Sequence, residues 1–183
     1  MSEDRLNRQD WIKAGLRALA GSGVQALKAE SLAKQLGVSR GSFYWHFVDV
    51  AAYHAALLES WEENATARVI QQVEDVESGV TDQLRLLAQL AFSTEGLLER
   101  QVRAWASQQA MAAEVQDRVD KTRMDFVTRL FEKAGMTPEA ARLRSRLFYL
   151  ALIGRYAAGK RLEIEPHEIT LMVGLLTARE SEK

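Results

Sequence analysis

The fold of this 183-residue chain is decided in the stretch Ser31-Leu-Ala-Lys-Gln-Leu-Gly-Val-Ser39, which runs on into Arg40-Gly-Ser-Phe-Tyr-Trp-His-Phe47. Leu32, Ala33 and Leu36 give a short helix one apolar face. Ala33 is small enough for a second helix to approach closely, Gly37 reaches the left-handed conformation of a tight turn, Val38 packs under it, and Ser39 stands as the next N-cap. These are the requirements of a helix-turn-helix, although any helical hairpin uses the same residue types at its corner. The next segment discriminates. Phe43 and Phe47 lie one turn apart and face inward, which leaves Tyr44, Trp45 and His46, with Arg40 and Ser42, to face outward. A soluble domain rarely exposes three such rings without a partner. In a DNA major groove Arg40, Ser42 and Trp45 can read base edges, while Tyr44 and His46 can bond phosphates. The competing reading packs Tyr44 and Trp45 on the following helix. The motif is then merely architectural, within an all-helical small-molecule-binding or protein-interaction module.

Outward from this stretch the chain reads as helix throughout. Trp11, Ile12, Leu16 and Leu19 give a first helix face from about Asp10, ended by Gly21 and Gly23. Asp49 caps a fourth helix carrying Tyr53, Leu57, Leu58 and Trp61, with no breaker before Gly79. Further helical segments cover 81–94, the region of 96–105, and 113–134. Thr137 with Pro138 opens a helix to about Lys160, and Glu165 with Pro166 opens a last one to about Ala178. Strand patterning and internal repeats are absent. The expectation is an all-α protein with an N-terminal helix-turn-helix domain over residues 1–54 and a C-terminal effector-binding and dimerisation domain over 55–183.

Composition narrows the function classes. No cysteine is present, which excludes a disulfide scaffold, a thiol nucleophile and any cysteine-based metal site. Two prolines in the whole chain favour long helices. The net charge of -1 advertises no nucleic-acid partner, but it is unevenly shared: residues 1–50 carry +2 and the remainder -3. The start, Met1 to Arg5, is polar and acidic rather than basic and apolar, and no run of 18 apolar residues occurs, so the expected location is cytoplasmic and off the membrane.

The residues from helix one through Leu32-Ala33, Leu36-Gly37-Val38-Ser39 and Phe43-Tyr44-x-His46-Phe47 to the acidic cap Asp49 resemble the DNA-binding domain of the TetR (tetracycline repressor) family of transcriptional regulators. The resemblance is specific over about residues 8–58. It implies an all-helical homodimer in which helices one to three contact a palindromic operator, the fourth leads to a ligand-binding body, and the last two form the dimer interface. It also implies a repressor released by a small-molecule effector, with no cofactor. Lys28 stands where a Thr or Ser commonly caps the second helix and would grip phosphate, and Glu30 matches a position from which some members read a base. Val50 replaces the Lys that usually contacts phosphate at the start of helix four.

Other signals are weaker. Gly21-Ser-Gly23-Val-Gln-Ala26 spells a dinucleotide-binding loop but follows a helix where that chemistry needs a strand. His46, His54 and His167 share no metal-binding spacing, and Glu163, Glu165, His167 and Glu168 read as a solvated loop, so neither a catalytic constellation nor a metal site is expected. Trp61, Phe92, Trp105, Met111, Met124 and Phe148 read either as the lining of a largely apolar effector pocket or as plain core. Two apolar stripes are wide enough for a two-fold interface: Leu147, Phe148, Ala151, Leu152 and Arg155, and Ile169, Met172, Val173, Leu175 and Leu176.

Overall fold

In the computed structural model residues 6–178 are described, and among them every regular element is helical. The polar start read as lacking a leader, Met1 to Arg5, lies outside the described residues. Helix α1 (Arg8–Ser22) begins two residues earlier than its apolar spacing predicts. The reason is a capping box: the Asn7 side chain accepts from the Gln9 and Asp10 N–H groups at 2.8 and 3.1 Å, and Asp10 accepts from the Asn7 N–H at 2.9 Å. A short 3-10 turn, Val24–Ala26, leads into α2 (Ala29–Gln35), and α3 (Arg40–Tyr44) follows.

Between α2 and α3 the backbone does what the sequence asks. Gly37 has φ +70°, its N–H donates to the Lys34 carbonyl at 3.2 Å, and the Val38 N–H donates to the Ala33 carbonyl at 3.0 Å. This paired arrangement satisfies the last carbonyls of α2 and turns the chain. Ser39 sits at the N-cap position of α3 in extended backbone, but its hydroxyl makes no capping bond. Helix α3 is shorter than expected and ends at Tyr44, with Trp45 and His46 in the turn beyond it.

Helix α4 (Val50–Glu62) starts at Asp49, whose carboxylate accepts from the Ala52 N–H at 2.7 Å. It continues through a π-turn, Glu63–Ala67, into α5 (Arg68–Glu74). Then come α6 (Val80–Phe92), α7 (Leu97–Ala106), α8 (Ala110–Lys133), α9 (Pro138–Ala158) and α10 (Pro166–Thr177). Thr137 caps α9 as predicted, accepting from the Ala140 N–H at 3.3 Å.

Two compact units form, and they do not follow the expected boundary at residue 54: one is Met1–Glu63 with Leu97–Asp117, the other Asn64–Gly96 with Arg118–Lys183. Helix α7, read from sequence as part of the C-terminal body, packs instead on α1 within the first unit. The Trp61 indole N–H donates to buried Glu99 of α7 at 3.1 Å. The core of the first unit is aromatic. Phe43 lies edge-on to Trp11 at 5.4 Å and to Tyr53 at 5.2 Å, and Phe47 packs on Tyr53 at 4.7 Å, so α3 is anchored to both α1 and α4.

The second unit buries Val73, Leu84, Phe92, Phe126, Phe131, Phe148 and Leu152, with α10 packed on α6 through Ile169 and Val173. Arg144 of α9 donates to the Leu176 and Ala178 carbonyls, both at 2.7 Å, and so ties the start of α9 to the end of α10.

Candidate nucleic-acid interface

The inward pair, Phe43 and Phe47, is 0% and 3% exposed, whereas Tyr44 is 45% and Trp45 87% exposed. Phe43 takes the inner face of α3, which turns neighbouring Tyr44 outward, and Trp45 lies in the turn beyond the helix. Exposed Trp45 is the side chain for which an architectural motif has no use. His46 is half-buried beside Trp11, with ring centroids 6.5 Å apart, and Ser42 is also half-buried, so the open surface centres on Arg40, Tyr44 and Trp45. Val48, not singled out from sequence, adds an exposed apolar side chain next to them.

Arg40 is fully exposed and lies along its own helix: a guanidinium N–H donates to the Tyr44 hydroxyl at 3.2 Å, with the guanidinium carbon 5.7 Å from the ring centre. That bond, with neighbouring Glu30, holds the guanidinium more firmly protonated than usual. Lys28 occupies the N-cap position of α2 without capping it, and both Lys28 and Glu30 are exposed. Lys28, Glu30, Arg40 and Tyr44 border one cleft of about 400 Å³. Val50, His54 and Gln109 also line it, with Gln25 and the backbone stretch leading into α2.

Nothing local in the sequence points to His54 or Gln109 as neighbours of this surface; packing of α7 beside α1 and α4 brings them there. The His54 ring is hydrogen-bonded to the Leu27 backbone, one residue before Lys28. Its Nε2 is buried without a partner, and the ring lies edge-on to Trp105 at 4.9 Å. Burial pushes its pKa below the ordinary histidine range, against the opposing effect of the Leu27 bond. Among the described residues no group of three or more His, Asp or Glu side chains could hold a metal ion.

The candidate effector residues divide between the units. Trp61, Trp105 and Met111 belong to the first, where both indole N–H groups are engaged, Trp61 with Glu99 and Trp105 with Gln109. Phe92, Met124 and Phe148 belong to the second, where Phe92 and Phe148 meet edge-to-face at 5.3 Å in its core. Of the candidate dimer residues, Leu147, Ala151 and Leu175 are exposed, and Met172 and Leu176 are half-buried. Arg155 needs correcting: it is 4% exposed and donates to the Gly159 carbonyl at 3.0 Å, so it stabilises the end of α9 from within. Phe148, Leu152, Ile169 and Val173 are likewise core. The open stripe is instead Leu143, Leu147 and Leu150 on α9, with Leu171 and Leu175 on α10.

Residues 12–49 match the bacterial regulatory proteins of the tetR family. The helix-turn-helix belongs to the TetR family. The nucleoid occlusion factor SlmA of Vibrio cholerae serotype O1 is 33% identical over 91 residues, 49% of this chain, and the matched part spans about half (46%) of that relative. Beyond this TetR segment the fold itself is shared. E. coli NemR in its reduced form superposes with a TM-score of 0.79 at 17% identity, covering 95% of this chain and 99% of that one. Bacillus subtilis FadR in complex with stearoyl-CoA gives 0.68 at 12% identity, covering 93% and 96%. The protein thus carries a helix-turn-helix matching the tetR family within an all-α fold shared with these structures.

Proposed function

We propose that the protein is a transcriptional repressor, acting in the cytoplasm without catalysis of its own, that binds a palindromic operator as a homodimer and is released by a small, largely apolar effector. The observation that carries the reading is Trp45, 87% exposed in the turn that directly follows α3, a helix anchored by buried Phe43. Arg40, Ser42 and Trp45 read bases, with Glu30 favouring a cytosine amino group, while Lys28, Tyr44 and His46 hold the backbone. The leucine stripe of α9 and α10 supports a two-fold partner, because five exposed leucines exceed what a monomer leaves open.

An effector acts only through its different affinity for DNA-competent and DNA-incompetent forms. Within the second unit, Phe92, Met124 and Phe148 suit contact with an apolar ligand. Among the described residues no helix is long and apolar enough to cross a membrane. The deciding experiment is selection of bound sequences from random duplex DNA with the purified full chain. Enrichment of an inverted repeat with half-site centres about 34–36 Å or a multiple apart supports the reading. No enrichment at low salt without effector overturns it.

A further inference from the structure

The cleft beside the recognition helix presents donors. Lys28 contributes its ammonium and Arg40 its guanidinium, and the Tyr44 hydroxyl, which accepts from Arg40, keeps its own proton to give. Glu30 is the one acidic side chain on the wall. Gln109, in the turn between α7 and α8 and far outside the helix-turn-helix in sequence, lines the same cleft. Its backbone is fixed: the Gln109 N–H donates to the Trp105 carbonyl at 3.1 Å, and its carbonyl accepts from Ala112 and Ala113 at 3.1 and 3.0 Å. Its side chain is oriented as well. The Trp105 indole N–H donates to Oε1 at 2.9 Å, which leaves the amide NH2, a pure donor, without a hydrogen-bond partner among the described residues. Trp105 is itself 1% exposed and wedged edge-on against His54, so this orientation is built into the unit's core.

We propose that Gln109, aimed by Trp105, is a DNA-backbone contact contributed from outside the helix-turn-helix, its amide donating to a phosphodiester oxygen seated in the cleft beside Lys28 and Arg40. The inference rests on the DNA-binding reading above and adds a residue to it. A site of two cations, the Tyr44 hydroxyl and the Gln109 amide, with one carboxylate, matches a singly charged phosphodiester, whose two free oxygens accept several bonds. Trp105 is the positioning residue: it touches no DNA but fixes which face of the amide points into the cleft.

The test measures binding of a fluorescent duplex to the full chain across a salt series. Gln109→Glu keeps the acceptor for Trp105 and places a carboxylate opposite phosphate, so the Kd for every duplex sequence should rise about tenfold or more at low salt. Gln109→Ala should raise it less. Trp105→Phe, with an unchanged helical circular dichroism spectrum, should raise Kd like Gln109→Ala, and the double variant should be no worse than either, because both remove one contact. An additive double variant, or Gln109→Glu unchanged within twofold while Lys28→Ala weakens binding, overturns the proposal and leaves the DNA-binding reading standing. Wild-type protein that binds no duplex sinks both. If millimolar inorganic phosphate protects wild type but not Gln109→Glu from thermal unfolding, while both bind duplex equally, the seat belongs to a free anion and the backbone contact is wrong.

Discussion

The Tyr53 hydroxyl of α4 donates to the Trp11 carbonyl of α1 at 2.7 Å, across 42 positions of sequence, and the backbone of Gly15 passes directly over that oxygen. A Cβ at Gly15 would overlap the hydroxyl and crowd Leu57. Glycine is therefore required here by close approach, in a stretch of helix where alanine would otherwise be favoured. Burial also pushes the Tyr53 pKa far up, so the hydroxyl stays a donor at all ordinary pH.

Gly15→Ala should destabilise the protein by about 1–3 kcal/mol, through overpacking, despite the better helix propensity of alanine. Tyr53→Phe should cost about 1 kcal/mol. In the double variant the alanine should cost less than in wild type, because the clashing oxygen is gone. Urea denaturation of the four proteins measures that coupling; strict additivity would mean that the two helices are free to move apart.

DNA contact and fold stability should separate at Trp45. With its side chain in solvent, Trp45→Ala should change stability by no more than about 0.5 kcal/mol while weakening selective operator binding. Arg40→Ala should cost about 1–3 kcal/mol of binding and relax preference at one position per half-site. Lys28→Ala should weaken all sequences alike and flatten the salt dependence by about one unit. Thermal melts paired with anisotropy titrations check all three.

Lowering the pH should destabilise the first unit through His54. Its folded-state pKa lies below the unfolded value, so the unfolded chain binds more protons as the pH falls below about 6.5. Stability is therefore full above that pH and declines as pH drops from there toward the folded-state value. His54→Gln should flatten the melting temperature between pH 7.5 and 5.5 relative to wild type; an equal slope in both would assign the acid sensitivity elsewhere.

Leu147→Glu should break a dimer without unfolding the protomer, since Leu147 is 51% exposed. Sedimentation at micromolar concentration should show a dimer for wild type and a monomer for the variant. A wild-type monomer would remove the two-fold interface.

What the sequence displayed was local chemistry. Gly37, Asp49, Thr137 with Pro138, and the inward pair Phe43 and Phe47 each act through bonds or spacing within a few residues, and each does in the structure what its side chain dictates. What it hid was tertiary. The amphipathic stripe of α7 shows that the helix is half-buried without showing on what, so its docking on α1, and with it the positions of Trp105 and Gln109, could not be read. Arg155 sits in an apolar stripe where a charged residue reads as an interface edge, yet the carbonyl of Gly159 at the helix end gives it a buried partner. The early start of α1 is written in Asn7 and Asp10, a capping pair three residues apart that lies outside the apolar spacing.

The Arg40 to Tyr44 bond bears on the temperature dependence of recognition. A free arginine side chain samples many rotamers and gives up as much as about 2 kcal/mol of entropy when a ligand fixes it. Here the hydroxyl one helical turn away already narrows that sampling before any DNA arrives. Operator binding by wild type should accordingly be less opposed by entropy than binding by Tyr44→Phe, whose Arg40 must be ordered on contact. The difference belongs in the calorimetric balance of heat and disorder more than in the total affinity.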